Sequence, residues 1–112
     1  MSTRVHNAEL LDTLLHGRIA TLGTEIRRTR AFSPLKLRLR AEKAGLLAVH
    51  AGEIPDHALP AVRGAVARRL ASLTQSLRRA ENPDFKKRLR QELAEVNELA
   101  GALGTDVSTV PA

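Results

Sequence analysis

The 112-residue chain has no cysteine, tryptophan or tyrosine, and its whole aromatic content is Phe32 and Phe85. The lack of cysteine removes disulfides, thiolate nucleophiles and cysteine-ligated zinc or iron-sulfur sites together, and it agrees with a reducing, cytoplasmic setting. With so few rings, a core must be assembled from Leu, Ala, Val and Ile, which suits thin layers of packed helices. The two phenylalanines are read as packing residues, which leaves no aromatic platform on which single-stranded bases could stack. Long apolar runs are missing as well. The opening MSTRVHNAELLDTLLHG lacks the apolar core of roughly 7–15 residues that a signal peptide carries, and no segment approaches the roughly 20 apolar residues of a bilayer span. No membrane role is expected. Residues 34–50 come nearest to an amphipathic surface helix, but their apolar face is short and has no interfacial Trp or Tyr.

Positive charge is what the chain has in excess. Eighteen Lys and Arg against twelve Asp and Glu leave a formal charge of +6, a balance that favours DNA, RNA or an acidic protein surface as partner.

Apolar periodicity predicts an all-α chain, an antiparallel helical hairpin or small four-helix arrangement completed by dimerisation. Over residues 8–30, Leu11, Leu15, Ile19, Leu22 and Ile26 recur at steps of three or four, with Leu10 and Leu14 widening the stripe. Gly17 and Gly23 each cost this helix up to about 1 kcal/mol relative to Ala, so it needs outside contacts to persist. AFSP at 31–34 breaks it, with Ser33 placed to cap a second helix and Pro34 at its first position. That helix, over 34–50, sets Leu35, Leu39 and Leu46 on one side. The alternation LKLRLR at 35–40 also fits a strand, with three leucines on one face and Lys36, Arg38 and Arg40 on the other; helix is favoured because a lone strand must find an edge elsewhere. HAGEIPDHALP, with two prolines and a glycine, reads as a loop over 51–59.

Beyond it, Val62, Val66, Leu70, Leu73 and Leu77 repeat at helical spacing. ENPD interrupts, with Asn82 and Pro83 as cap and first turn, and the pattern resumes at Leu89, Leu93, Val96, Ala100 and Leu103 until Gly104 stops it. Equal lengths and a short link predict an antiparallel helical hairpin over 60–104, with a local coiled-coil spacing. The chain thus divides into a helical pair at 8–50, a loop, the hairpin, and a flexible tail at 105–112, with 1–104 forming one domain.

ELAGALGTDVSTV, at 98–110, resembles the LA..LG....STV run of helix-turn-helix DNA-binding domains through Leu99, Ala100, Leu103, Gly104, Ser108, Thr109 and Val110. That resemblance implies a turn at the glycine and a reading helix beginning at the serine and threonine. The chain departs from it at Thr105, where an apolar turn residue normally packs, and Pro111 and Ala112 leave no room for a recognition helix. The stretch is therefore read as a helix end followed by a polar tail.

Charge placement is the stronger signal. Arg78 and Arg79 end one helix of the hairpin, and Lys86, Lys87, Arg88 and Arg90 open the next, so folding brings six cations to one tip with only Glu81 and Asp84 between them. The first two suit a helix C-terminus. The other four sit near the positive end of their helix dipole, which is unfavourable by a few tenths of a kcal/mol per exposed charge, roughly, unless an anion arrives. A second basic zone, Arg27, Arg28, Arg30, Lys36, Arg38, Arg40 and Lys43, straddles the Ser33–Pro34 break. In an up-down four-helix topology the two zones share an end. Further along the last helix, Glu92, Glu95 and Glu98 make an acidic stretch, with Arg88 and Glu92 four apart as an internal pair.

No catalytic, metal or cofactor site is expected. His6, His16, His50 and His57 are dispersed, and His50 and His57 flank a polar loop with Glu53 and Asp56 where such groups are ordinarily solvated. The sequence also lacks a zinc-finger spacing, a glycine-rich phosphate loop and a basic zipper. The expected function is that of a non-enzymatic accessory protein touching nucleic-acid phosphates through the basic tip. The alternative is a protein-only adaptor that binds an acidic partner with the same surface. In either case a protein partner or homodimer covers the apolar faces.

Overall fold

Each of three predicted helix starts carries its own cap in the computed structural model, which describes residues 2–104. Asn7 opens α1 (Ala8–Arg28), its Oδ1 accepting from the Leu10 N–H at 3.1 Å. Ser33 opens α2 (Pro34–Leu47), accepting from the Leu35 N–H at 3.2 Å. Asn82 opens α4 (Pro83–Ala102) and accepts from both Asp84 and Phe85. These side chains satisfy amides that the first turn of a helix leaves without partners. The remaining helix, α3 (Leu59–Arg79), has no side-chain cap and is instead fed by a 3₁₀ turn at Asp56–Ala58, with a proline in its first turn.

The described residues therefore form an all-α bundle of four helices, joined by one small ribbon that the sequence reading lacks. Ser2–Arg4 (β1) pairs antiparallel with Glu53–Pro55 (β2), Thr3 facing Ile54, and the Val5 N–H donates to the Gly52 carbonyl at 2.9 Å. The segment read as a loop over 51–59 is thus a strand, a 3₁₀ turn and the first helical residue of α3. Its apolar content explains the difference, because Ile54 and Ala58 are wholly buried and hold the connection against the bundle. The alternation at 35–40 resolves as helix. Leu39 and Leu46 are buried seven residues apart, and the second helix ends at Leu47 rather than at 50. Leu35, expected beside them, is 53% exposed.

The core follows the apolar stripes. Leu11, Leu15 and Leu22 from α1, Val62, Val66, Leu70 and Leu73 from α3, and Leu89, Val96 and Leu103 from the last hairpin arm are buried together. Ile19, Ile26, Leu77 and Leu93 pack half-buried against them, as do Leu10 and Leu14. The most extensive helix contact is between α3 and α4, as the equal lengths and short link predict; α1 packs on α2, and both lean on α3. Small residues set the closest approach, since Gly45 lies against Ala58 and Ala61 where α2 meets the start of α3.

Ion pairs join neighbouring helices. Arg18 of α1 and Glu42 of α2 meet at 2.9 Å with their side chains 10% and 22% exposed. From α3, Arg69 donates through Nε, at 3.1 Å, and through a terminal guanidinium nitrogen to one carboxylate oxygen of Glu92. Glu92 thus pairs across the hairpin with Arg69 and not along its own helix with Arg88, because the half-buried flank facing α3 removes more competing water than the exposed ridge does.

Candidate functional site

Chain direction decides which connections share an end of the bundle. The β1–β2 ribbon ties the start of α1 to the link between α2 and α3. At the same end, Arg63 near the start of α3 donates through Nε to the Leu103 carbonyl at 2.8 Å, fastening the close of α4. The two tight turns, 29–33 between α1 and α2 and 80–82 between α3 and α4, consequently lie at the opposite end. A groove lined by Leu10 through Glu25 of α1 and by Ala65 through Gln75 of α3 shows these two helices running side by side from one end toward the other.

That turn end carries most of the cations singled out above. Arg78, Arg79, Lys87, Arg88 and Arg90 around one turn, and Arg27, Arg28, Arg30, Arg38 and Arg40 around the other, are exposed. Lys36 and Lys86 are half-buried. Lys43 stands apart: its Nζ lies over Gly23, 3.7 Å from where a Cβ on that glycine would sit, so it packs across the α1–α2 contact instead of pointing from the tip.

None of these thirteen cations makes an ion pair among the described residues. The described pairs join Arg4 to Glu53, His16 to Asp12, Arg18 to Glu42 and Arg69 to Glu92. Arg27 reaches only the Thr24 hydroxyl, at 3.5 Å. Because Glu92 is taken by Arg69, Arg88 is left without the carboxylate four residues on. Glu81 and Asp84, the acids nearest the hairpin tip, pair with none of the cations either.

Both phenylalanines overturn the sequence reading. Phe85 is 50% exposed at the start of α4, and Phe32, in the turn between α1 and α2, is 100% exposed. Phe32 also has a φ of 66°, the left-handed region that bulky side chains avoid. The turn is closed by the Ser33 N–H donating to the Arg30 carbonyl at 3.3 Å, which places Phe32 third of four residues, where a positive φ ordinarily selects glycine or asparagine. Phe32 shares with Ala31, Ser33, Lys36, Leu37 and Arg40 the lining of a hollow of about 240 Å³. Burial by hydropathy is the ordinary fate of a phenylalanine, and only the capping of α2 immediately after AFSP hints that this one sits in a turn.

Residues carrying the helix-turn-helix resemblance do other work here. Leu99, Ala100 and Leu103 are buried in the bundle, and Gly104, at a φ of 71°, ends α4. Thr105 through Ala112, with the proposed tail and the remainder of that run, lie outside the described residues. Among the described residues no three His, Asp or Glu side chains gather where they could hold one metal ion, and no helix is long and apolar enough to cross a membrane.

Fold and site together define a class: a small all-α four-helix bundle, tied at one end by a β ribbon and carrying at the other cations that have no ion-pair partner among the described residues. In comparison with known proteins, the chain matches no protein-family model, no curated protein and no solved structure.

Proposed function

We propose that this chain is a non-enzymatic, cytoplasmic accessory protein that contacts nucleic-acid phosphates through the turn end of its bundle. The observation that carries the reading is the set of cations flanking the two turns, none of them in an ion pair among the described residues. Arginines and lysines so arranged bind phosphate by charge, with strong salt dependence and little sequence preference. Lys86 and Lys87, at the close of the first turn of α4, stand nearest the positive end of its dipole, a local cost that a bound phosphate reverses in sign.

Replacing Arg78, Arg79, Lys86, Lys87, Arg88 and Arg90 with glutamine keeps helix propensity nearly constant and touches no buried leucine or valine. The expected outcome is an unchanged circular dichroism spectrum, weaker binding to duplexes of different sequence by similar factors, and a slope of log affinity against log salt reduced by roughly 0.9 per lost contact. Wild-type protein that ignores both DNA and RNA at low salt overturns the proposal and moves the same surface to an acidic protein partner.

Self-association belongs to the same reading. α1 and α4 scarcely touch, and between them, floored by α3, runs a groove of about 810 Å³ that includes Leu10, Leu14 and Val96 beside the small residues Gly17 and Ala71. Glu25 and Arg68 line it, and neither has a side-chain partner among the described residues. A two-fold axis passing midway between Glu25 and Arg68 would set the arginine of one protomer opposite the glutamate of the other, the self-complementarity that an isologous dimer requires.

A further inference from the structure

We infer that Phe32 is a stacking platform for an unpaired base, so that the nucleic acid bound at the turn end is single-stranded. This inference rests on the phosphate-binding reading above and names its substrate class.

Nothing in the fold accounts for a phenylalanine at this position. The ring is 100% exposed, so it adds no burial to the core. The backbone at a φ of 66° is strained for any bulky residue and would be relaxed by glycine. Local geometry and solvation therefore both disfavour the residue, and a contact absent from the free chain is what can offset them.

The surroundings specify the contact. Lys36 and Arg40 stand one turn apart on α2 and line the same hollow as Phe32, Arg30 precedes Phe32 by two residues, and none of the three has an ion-pair partner among the described residues. An exposed aromatic face bordered by free cations matches a nucleotide group for group, with the base on the ring and the flanking phosphates on the cations. The hollow that Phe32, Lys36 and Arg40 share, about 240 Å³, is below the roughly 300 Å³ at which drug-sized pockets begin. A duplex cannot use it, because paired bases already have both faces stacked; unpaired bases can be splayed onto aromatic side chains. A lipid surface fits less well. It calls for one broad apolar face, whereas the exposed Leu35 and Leu37 lie roughly 200° apart around α2 with cations between them.

The test compares wild type, Phe32→Ala, Phe32→Leu and the six-glutamine variant for binding to labelled oligothymidylate, oligouridylate, a mixed-sequence duplex, an abasic deoxyribose-phosphate oligomer and phosphatidylglycerol vesicles. Circular dichroism serves as the folding control; the Phe32 ring has no contacts to lose. Both Phe32 variants are expected to bind the single strands about 5- to 150-fold more weakly, the range set by stacking one base, while duplex and abasic affinities stay within about twofold. The chain has no tryptophan, so Phe32→Trp supplies a single indole whose fluorescence should be quenched by the oligonucleotides and not by the abasic oligomer. Single-strand affinity that survives Phe32→Ala but falls in the six-glutamine variant overturns the stacking inference and leaves phosphate binding standing. Phe32→Leu binding like wild type overturns it too, since a purely apolar contact would then suffice. Wild type that binds no nucleic acid at all removes the reading beneath it, and Phe32-dependent binding to vesicles alone transfers the surface to lipid.

Discussion

At Phe32, conformational strain and exposure coincide in one side chain, and they can be separated by substitution. Glycine removes a left-handed penalty of about 1–2 kcal/mol for a bulky residue and gives back about 0.4–1 kcal/mol through a more flexible unfolded chain. Phe32→Gly is therefore expected to raise stability slightly, by up to about 1 kcal/mol, a shift of a few degrees in thermal midpoint, while abolishing any ring-dependent binding. Arg18 presents the reverse case. Its side chain is nine-tenths buried, its Nε has no hydrogen-bond partner, and Glu42 is the carboxylate that compensates its charge. Glu42→Ala strands that charge and is expected to cost about 2–3 kcal/mol, read as a lower urea midpoint with an unchanged slope.

Among the elements, the β ribbon holds the end opposite the cations. Gly52 has a φ of 80°, and a Cβ there would fall 2.9 Å from the Ala8 Cβ and 3.0 Å from the Val5 carbonyl oxygen. Both obstacles are close to the backbone that starts α1, so the collision cannot be relieved by turning a flexible side chain. Gly52→Ala is expected to cost about 2 kcal/mol or more and to raise amide exchange at Val5, whose N–H donates to the Gly52 carbonyl, before it affects the α3–α4 hairpin. The hairpin is the sturdier unit, since its cap at Asn82, the Arg69–Glu92 pair across it and the carbonyl of Leu103 held by Arg63 restrain both its ends and its middle.

The whole molecule is longer than a compact chain of its size. Its radius of gyration is 14.9 Å and its principal extents are 46 × 34 × 25 Å, against roughly 13 Å for a compact domain of this length. The separation of α1 from α4 is one source of that openness, and it leaves the groove that a second copy is proposed to fill. Sedimentation equilibrium at micromolar concentration is expected to give twice the 12.2 kDa chain mass, with Arg68→Glu shifting the protein toward monomer and Arg68→Glu combined with Glu25→Arg restoring the dimer. A strictly monomeric, cooperatively folded wild type overturns the dimer and leaves the turn-end cations available to act singly.

Helix identity and the helix starts at Ser33–Pro34 and Asn82–Pro83 were determined by sequence alone, because both are local, whereas the end of the second helix at Leu47 was not. Apolar spacing marks the buried stripes from Leu11 to Leu22 and from Val62 to Leu73, and the Ser33–Pro34 and Asn82–Pro83 pairs carry their own hydrogen-bonding chemistry. The clustering of cations around two turns was equally legible, as charge and turn residues are adjacent in the chain. Tertiary structure alone decided the rest. The pairing of Ser2–Arg4 with Glu53–Pro55 joins segments far apart in sequence through backbone groups that composition does not reveal. The choice of Arg69 over Arg88 by Glu92 depends on which flank of α4 faces α3. Phe32 was misjudged because hydropathy measures what a side chain gains by burial, whereas only the assembled bundle determines whether any surface remains to bury it.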